Sequence, residues 1–99
     1  MKQINLKQVW FNEDKRCLVD KQGKKYSGER FSFAYGNTRS GTYSIDSAIG
    51  DALLALEKAA MKKRAEAYEI VHKQTFDSHQ EYDARPYSAQ AGAILYRKK

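Results

Sequence analysis

The 99-residue chain has one cysteine, one proline and one tryptophan, and it is poor in aliphatic side chains, with three Val, five Ile and six Leu. Its longest apolar run, Ala52-Leu53-Leu54-Ala55-Leu56, falls far short of the ~20 residues needed to cross a bilayer, so a membrane partner is not expected. Cys17 has no second cysteine to pair with, and between Arg16 and Leu18 it reads as a small packed residue rather than a nucleophile. Met1 to Gln8 alternates polar and apolar residues and lacks the apolar stretch of a secretory signal. With no Asn-x-Ser/Thr acceptor either, a cytoplasmic setting is the expectation.

The familiar signatures of catalysis are missing as well. There is no nucleophile-histidine-carboxylate pattern, no His-Glu-x-x-His and no pair of carboxylates at a telling spacing. His72 and His79 lie near Asp77, Glu81 and Asp83, but this spacing matches no zinc pattern and reads as a solvated segment. No metal, no cofactor and no enzymatic activity are therefore expected. One exception stays open, a small basic ribonuclease of the toxin type, because scattered Arg, Lys, Tyr and His can supply electrostatic and acid-base groups without a motif.

What is present is positive charge and aromatic rings: a formal net charge of +6, seven Tyr and four Phe. A chain of this length has room for one core, and the rings supply area that the few aliphatics do not. One domain, 1-99, is expected. Ile4 to Tyr43 reads as strands. Arg16 to Asp20 is a short strand between the turn cluster Asn12-Glu13-Asp14-Lys15 and the glycine-bearing hairpin loop Lys21-Gln22-Gly23-Lys24-Lys25. Phe31, Phe33 and Tyr35 alternate with Arg30, Ser32 and Ala34, the clearest period of two in the chain, and predict a strand with one aromatic face. Such a face occurs in sheets that stack unpaired bases, but with so few aliphatics the expectation is that the core takes these rings.

A helix is predicted over about 46-72, capped by Ser44 or Asp46, on the stripe Ile49, Leu53, Leu56, Ala60 and Ala67 continued by Ile70 and Val71. Residues 74-99 read as an irregular or β tail, Pro86 barring any helix there and Ile94-Leu95-Tyr96 suiting a last strand. The expected architecture is α+β: a small antiparallel sheet in the order β-β-β-α, with a C-terminal β allowed for, and one long helix packed across it.

The charge is unevenly placed. Residues 1-44 carry an excess of +5, residues 45-75 balance to zero, and residues 76-99 add +1. Clustered lysine and arginine suit a phosphate polyanion, since each contact releases condensed counterions. The candidate contacts are Lys21, Lys24 and Lys25 on the hairpin loop, Arg30, and Arg39 on the loop Gly36 to Gly41. Asn37, Thr38, Ser40 and Gly41 of that loop offer backbone and side-chain groups to the same partner. The loop has the two glycines of a phosphate loop but Thr42 where lysine is required, which excludes a nucleotide triphosphatase. Lys62-Lys63-Arg64 faces Glu57, Glu66 and Glu69 at helical spacing and reads as self-paired, and Arg97-Lys98-Lys99 as a frayed end.

Gly41-Thr42-Tyr43 before a helix bearing Ala48 and Ala52 resembles, over residues 8-60, the three-strand-plus-helix DNA-binding domains of the integrase arm-binding type. The resemblance is one of architecture and implies a sheet laid in the major groove. The leading expectation is thus a small basic non-enzymatic module that contacts nucleic acid or a nucleoprotein through its N-terminal sheet and loops. The alternative is a phage- or plasmid-type inhibitor or accessory protein that offers its Tyr and Arg to an acidic surface of a host protein machine. Self-association as a homodimer is compatible with either.

Overall fold

The computed structural model describes residues 6–38, 41–77 and 86–98. Its elements are β1 (Lys7–Gln8), β2 (Trp10–Asn12), β3 (Cys17–Val19), β4 (Lys25–Tyr26), β5 (Glu29–Asn37), α1 (Ile45–Lys62), β6 (Ala67–Asp77) and β7 (Tyr87–Arg97). The fold is α+β, as the residue pattern predicts, but with two sheets. The main sheet has the order β1-β6-β7-β5, and β2-β3-β4 form a small separate one. β7 runs antiparallel to both neighbours, and β1 is parallel to β6. The three-strand-plus-helix resemblance therefore stops at the element order. β5 belongs with the two C-terminal strands, and the three-stranded sheet that does precede the helix, β2-β3-β4, is not the one on which the helix packs.

The helix sits on β5 and β7 through small residues. Ala48, Ala52, Leu56 and Ala60 recur every four positions and are its buried line, facing Ala34 on β5 and Ala89, Ala91, Ala93 and Leu95 on β7. Ile49 and Leu53 flank that line, while Leu54 and Met61 are exposed. Closest approach is at Gly36, where a Cβ would stand inside contact distance of the Ala52 carbonyl oxygen and the Leu56 amide nitrogen. Helix backbone thus rests on strand backbone, and only glycine fits between them.

Ser44 starts the helix, its hydroxyl accepting the Ser47 N–H at 3.1 Å, with Asp46 in the positive first turn. The helix ends at Lys62, ten residues before the predicted end. Lys63 caps it, Arg64 takes a left-handed φ of 60°, and by Ala67 the chain is a strand. Ile70 and Val71, which continue the helical stripe in sequence, instead lie in β6, where Ile70 pairs with Ala93 and Val71 is the extra residue of a bulge before His72 pairs with Gly92. Of the two readings of residues 74–99, irregular or β, the described part takes the β one, more extensively than Ile94-Leu95-Tyr96 suggests: residues 74–77 complete β6, and Tyr87–Arg97 is an inner strand of the main sheet.

The rings of β5 do not share one face. A bulge between Arg30 and Ser32 resets the alternation, so that Phe31 packs against the helix-side cluster under the Arg97 guanidinium, 4.7 Å from its ring centre. Beyond the bulge, Ala34 and Gly36 face the helix, and Phe33 and Tyr35 are turned to the opposite side. The expectation that the core takes all three rings is overturned for two of them, because the helix comes closest to β5 along Ala34 and Gly36, where there is no room for a ring.

Gly36→Ala should destabilise the protein by about 3 kcal/mol or more in urea unfolding, since the added methyl must lever the helix off the sheet. Gly50→Ala, where an added Cβ meets nothing within 4 Å inside α1, should stabilise it by about 0.5–1 kcal/mol.

Candidate functional site

Val9, fully buried, donates its N–H to the Tyr68 carbonyl at 2.9 Å and carries the chain from the main sheet into the small one. There β2, β3 and β4 pair in succession. The β3–β4 loop is organised by Asp20, whose Oδ1 accepts the N–H groups of Gln22 at 2.9 Å and Lys24 at 3.0 Å. Asp20 also donates its own N–H to the Lys24 carbonyl, and Gly23 supplies the left-handed φ of 82° that the turn needs.

This loop presents Lys24 at the wall of an open groove of about 520 Å³, lined by Lys7, Asp20, Lys24, Lys25, Tyr26, Ser27, Glu66 and Lys98. Four ammonium groups from three separate stretches of chain meet two carboxylates, both already engaged by backbone N–H groups: Asp20 as above, and Glu66 accepting the Lys98 N–H at 3.3 Å. The Tyr26 hydroxyl at the wall is buried and has no hydrogen-bond partner among the described residues. Burial, and then the Glu66 carboxylate, push its pKa up.

Of the sequence-derived candidates, the groove joins Lys24 and Lys25. Lys21 lines a neighbouring depression of about 370 Å³ beside Trp10 and Gln22. Arg30 lies opposite Tyr96 at the start of β5. Arg39 and Ser40 lie outside the described residues. Thr38 is a clamp rather than a surface contact: its hydroxyl donates to the Ala48 carbonyl at 2.7 Å and accepts the Ala89 N–H at 2.9 Å, tying β5 to helix and β7. Asn37 is exposed beside Leu54, Lys58 and Lys62, and Gly41 is half-buried. The sequence reading missed Lys7 and Lys98. Lys7 is brought in by the parallel pairing of β1 with β6, and Lys98 is held by its bond to Glu66 and is no frayed end. Lys63, read as part of a self-paired cluster, donates instead to the Phe33 carbonyl at 2.7 Å and the Ser32 hydroxyl at 3.2 Å on the outer edge of β5.

A second feature lies on the main-sheet face turned away from α1. Cross-strand register places Arg30 with Tyr96 and Ala67, Phe33 with Ile94 and Glu69, Tyr35 with Gly92 and His72, and Asn37 with Gln90 and Gln74. The small sheet meets this face at one end, where Tyr26 stands edge-on to Tyr96 at 6.3 Å. Beside them is a depression of about 450 Å³ that includes Lys25, Tyr26, Ser27, Glu69 and Tyr96 in its lining. Among the described residues no three of His, Cys, Asp and Glu are grouped to hold a metal ion, and no helix is long and apolar enough to cross a membrane.

No family model, no curated protein and no solved structure matches this chain. What the site can do is therefore argued from its own residues.

The Tyr96 hydroxyl donates to Glu69 at 3.0 Å, and that of Tyr68 to Glu57 at 3.1 Å. Burial first, then the carboxylate partner in each case, pushes both phenols up to about 12, with Arg30 opposing the rise at Tyr96. A raised phenol pKa favours the neutral form in the folded protein. This contribution is complete below the ordinary tyrosine value of 10.0 and is lost as the pH climbs from there through about 12. Alkaline titration followed by phenolate absorbance should show two tyrosines ionising near pH 12, with folding stability falling over the same interval. Glu57→Gln should advance one of them while burial keeps it above 10.0.

Proposed function

We propose that the protein is a small non-enzymatic module that binds nucleic acid through the lysine groove and acts in the cytoplasm. The observation that carries the reading is the convergence of Lys7, Lys24, Lys25 and Lys98 on one open groove whose carboxylates are committed to backbone N–H groups. Each lysine that neutralises a phosphate releases a counterion, so affinity follows from charge density with no need to read bases. The groove is open and polar, which suits a polymer backbone better than an enclosed small ligand. Arg30 and Lys21 extend the positive field on either side.

Binding to a duplex, measured by fluorescence anisotropy, should weaken steeply with salt, with a log–log slope of about −3 to −4 for four contacts. Lys24→Ala with Lys25→Ala should lower that slope by about 2 and the affinity by roughly tenfold or more, with unfolding stability unchanged. Salt-independent binding, or none at low ionic strength, overturns the reading. An acidic protein partner would instead survive nuclease treatment as one stoichiometric companion in a pull-down, and a ribonuclease would degrade RNA on prolonged incubation with the purified protein.

A further inference from the structure

Resting on that reading, we propose that the polymer is single-stranded and that Phe33 and Tyr35 stack its unpaired bases on the open face of the main sheet. The two ring centres are 4.8 Å apart with planes inclined at 56°. They lie over Gly92 of β7, where an added Cβ would stand 3.1 Å from Tyr35 Cε1 and 3.2 Å from Phe33 Cε1. Glycine there lets both rings lie down against the sheet. Tyr35 nevertheless keeps 57% of its surface exposed, and Phe76, at the far end of the same face of β6, keeps 46%.

Between and around the rings stand groups suited to the edges of bases: the amides of Gln74 and Gln90 and the imidazole of His72. The only acid in these rows, Glu69, has one oxygen accepting the Tyr96 hydroxyl. The face is thus aromatic and hydrogen-bonding, with Arg30 at its end.

The link to the lysine groove is structural. Lys25, Tyr26 and Ser27 are a common wall: the groove lies on one side of them, and the depression that opens on Tyr96 and Glu69 lies on the other. A backbone held by Lys7, Lys24, Lys25 and Lys98 can pass that wall and lay its next bases over Tyr96, Phe33 and Tyr35. From the Tyr96 row to the Gly92 row is four residues of β7, roughly 13 Å. A duplex keeps its base faces stacked on each other and offers none to the rings, so this geometry selects an unpaired strand. Stacking is tolerant of base identity, and so little sequence preference is expected.

The test compares an oligothymidylate of about 12 nucleotides with a duplex of similar length, by anisotropy at several salt concentrations. The wild-type protein should favour the single strand, and Phe33→Ala with Tyr35→Ala should cost it roughly tenfold or more while leaving duplex affinity and the salt slope unchanged. Tyr35→Phe, which keeps the ring, should retain single-strand affinity and exclude a folding defect. A 2-aminopurine base placed in the strand should be quenched on binding the wild-type protein and not the double variant. If Lys24→Ala with Lys25→Ala weakens both polymers but the ring variants weaken neither, base stacking is overturned and the nucleic-acid reading stands. If neither polymer binds at low salt, both are overturned. If the ring variants abolish only a dimer seen by sedimentation, the face belongs to a second copy of this chain and the inference fails.

Discussion

The contact between Gly36 and the backbone of α1 governs the rest of the molecule. With no side chain between strand and helix, the surrounding positions on both must be small, and they are: Ala48, Ala52 and Ala60 on the helix, and Ala34, Ala89, Ala91 and Ala93 on the sheet. Each alanine buries little area by itself. The close approach compensates through dispersion contacts along the whole length of the helix, and Leu56 and Leu95 fill what remains. Thr38 fastens the same junction with hydrogen bonds to both Ala48 and Ala89.

Large side chains are consequently placed elsewhere. Phe31 stays on the helix side only because a bulge shifts it past the narrow gap, while Phe33 and Tyr35 are turned outward over Gly92. A chain with few aliphatics thus keeps part of its aromatic area on an open sheet face and does not spend it on the core. The small sheet covers one end of that face through the Tyr26–Tyr96 contact and leaves Tyr35 exposed and Phe33 half-buried. The lysine groove arises at the same end, because β1 and the residue after β7 both border the junction of the two sheets. Charge and aromatic surface become neighbours through one packing arrangement.

Several of these features are legible in the residues. The alternation from Arg30 to Tyr35 announces β5, the glycine-bearing loop announces the β3–β4 turn, and Ser44 announces the helix start. Lys24 and Lys25 stand out as exposed charge. The end of the helix is misread because Ala67, Tyr68 and Ile70 continue a plausible apolar stripe. The better signals are Lys63, set at an apolar position of that stripe, and the β-branched pair Ile70-Val71 that follows. β7 is anticipated only at Ile94-Leu95-Tyr96, and its first half is missed because Ala89, Ala91 and Ala93 alternate with the right period but have weak strand preference. Lys7 and Lys98 share no local pattern with Lys24, since their proximity depends on strand pairing across most of the chain.

The sequence by itself determined the α+β class, the helix start, the concentration of positive charge before residue 45 and the absence of a helix apolar enough to cross a membrane. Those properties are local or additive, and composition and short-range periodicity carry them. Only the tertiary structure decided which face of β5 the helix covers and which lysines share a groove. Both depend on contacts between residues distant in sequence, chiefly the absence of a side chain at Gly36 meeting the backbone of Ala52 and Leu56, and no short-range pattern encodes them.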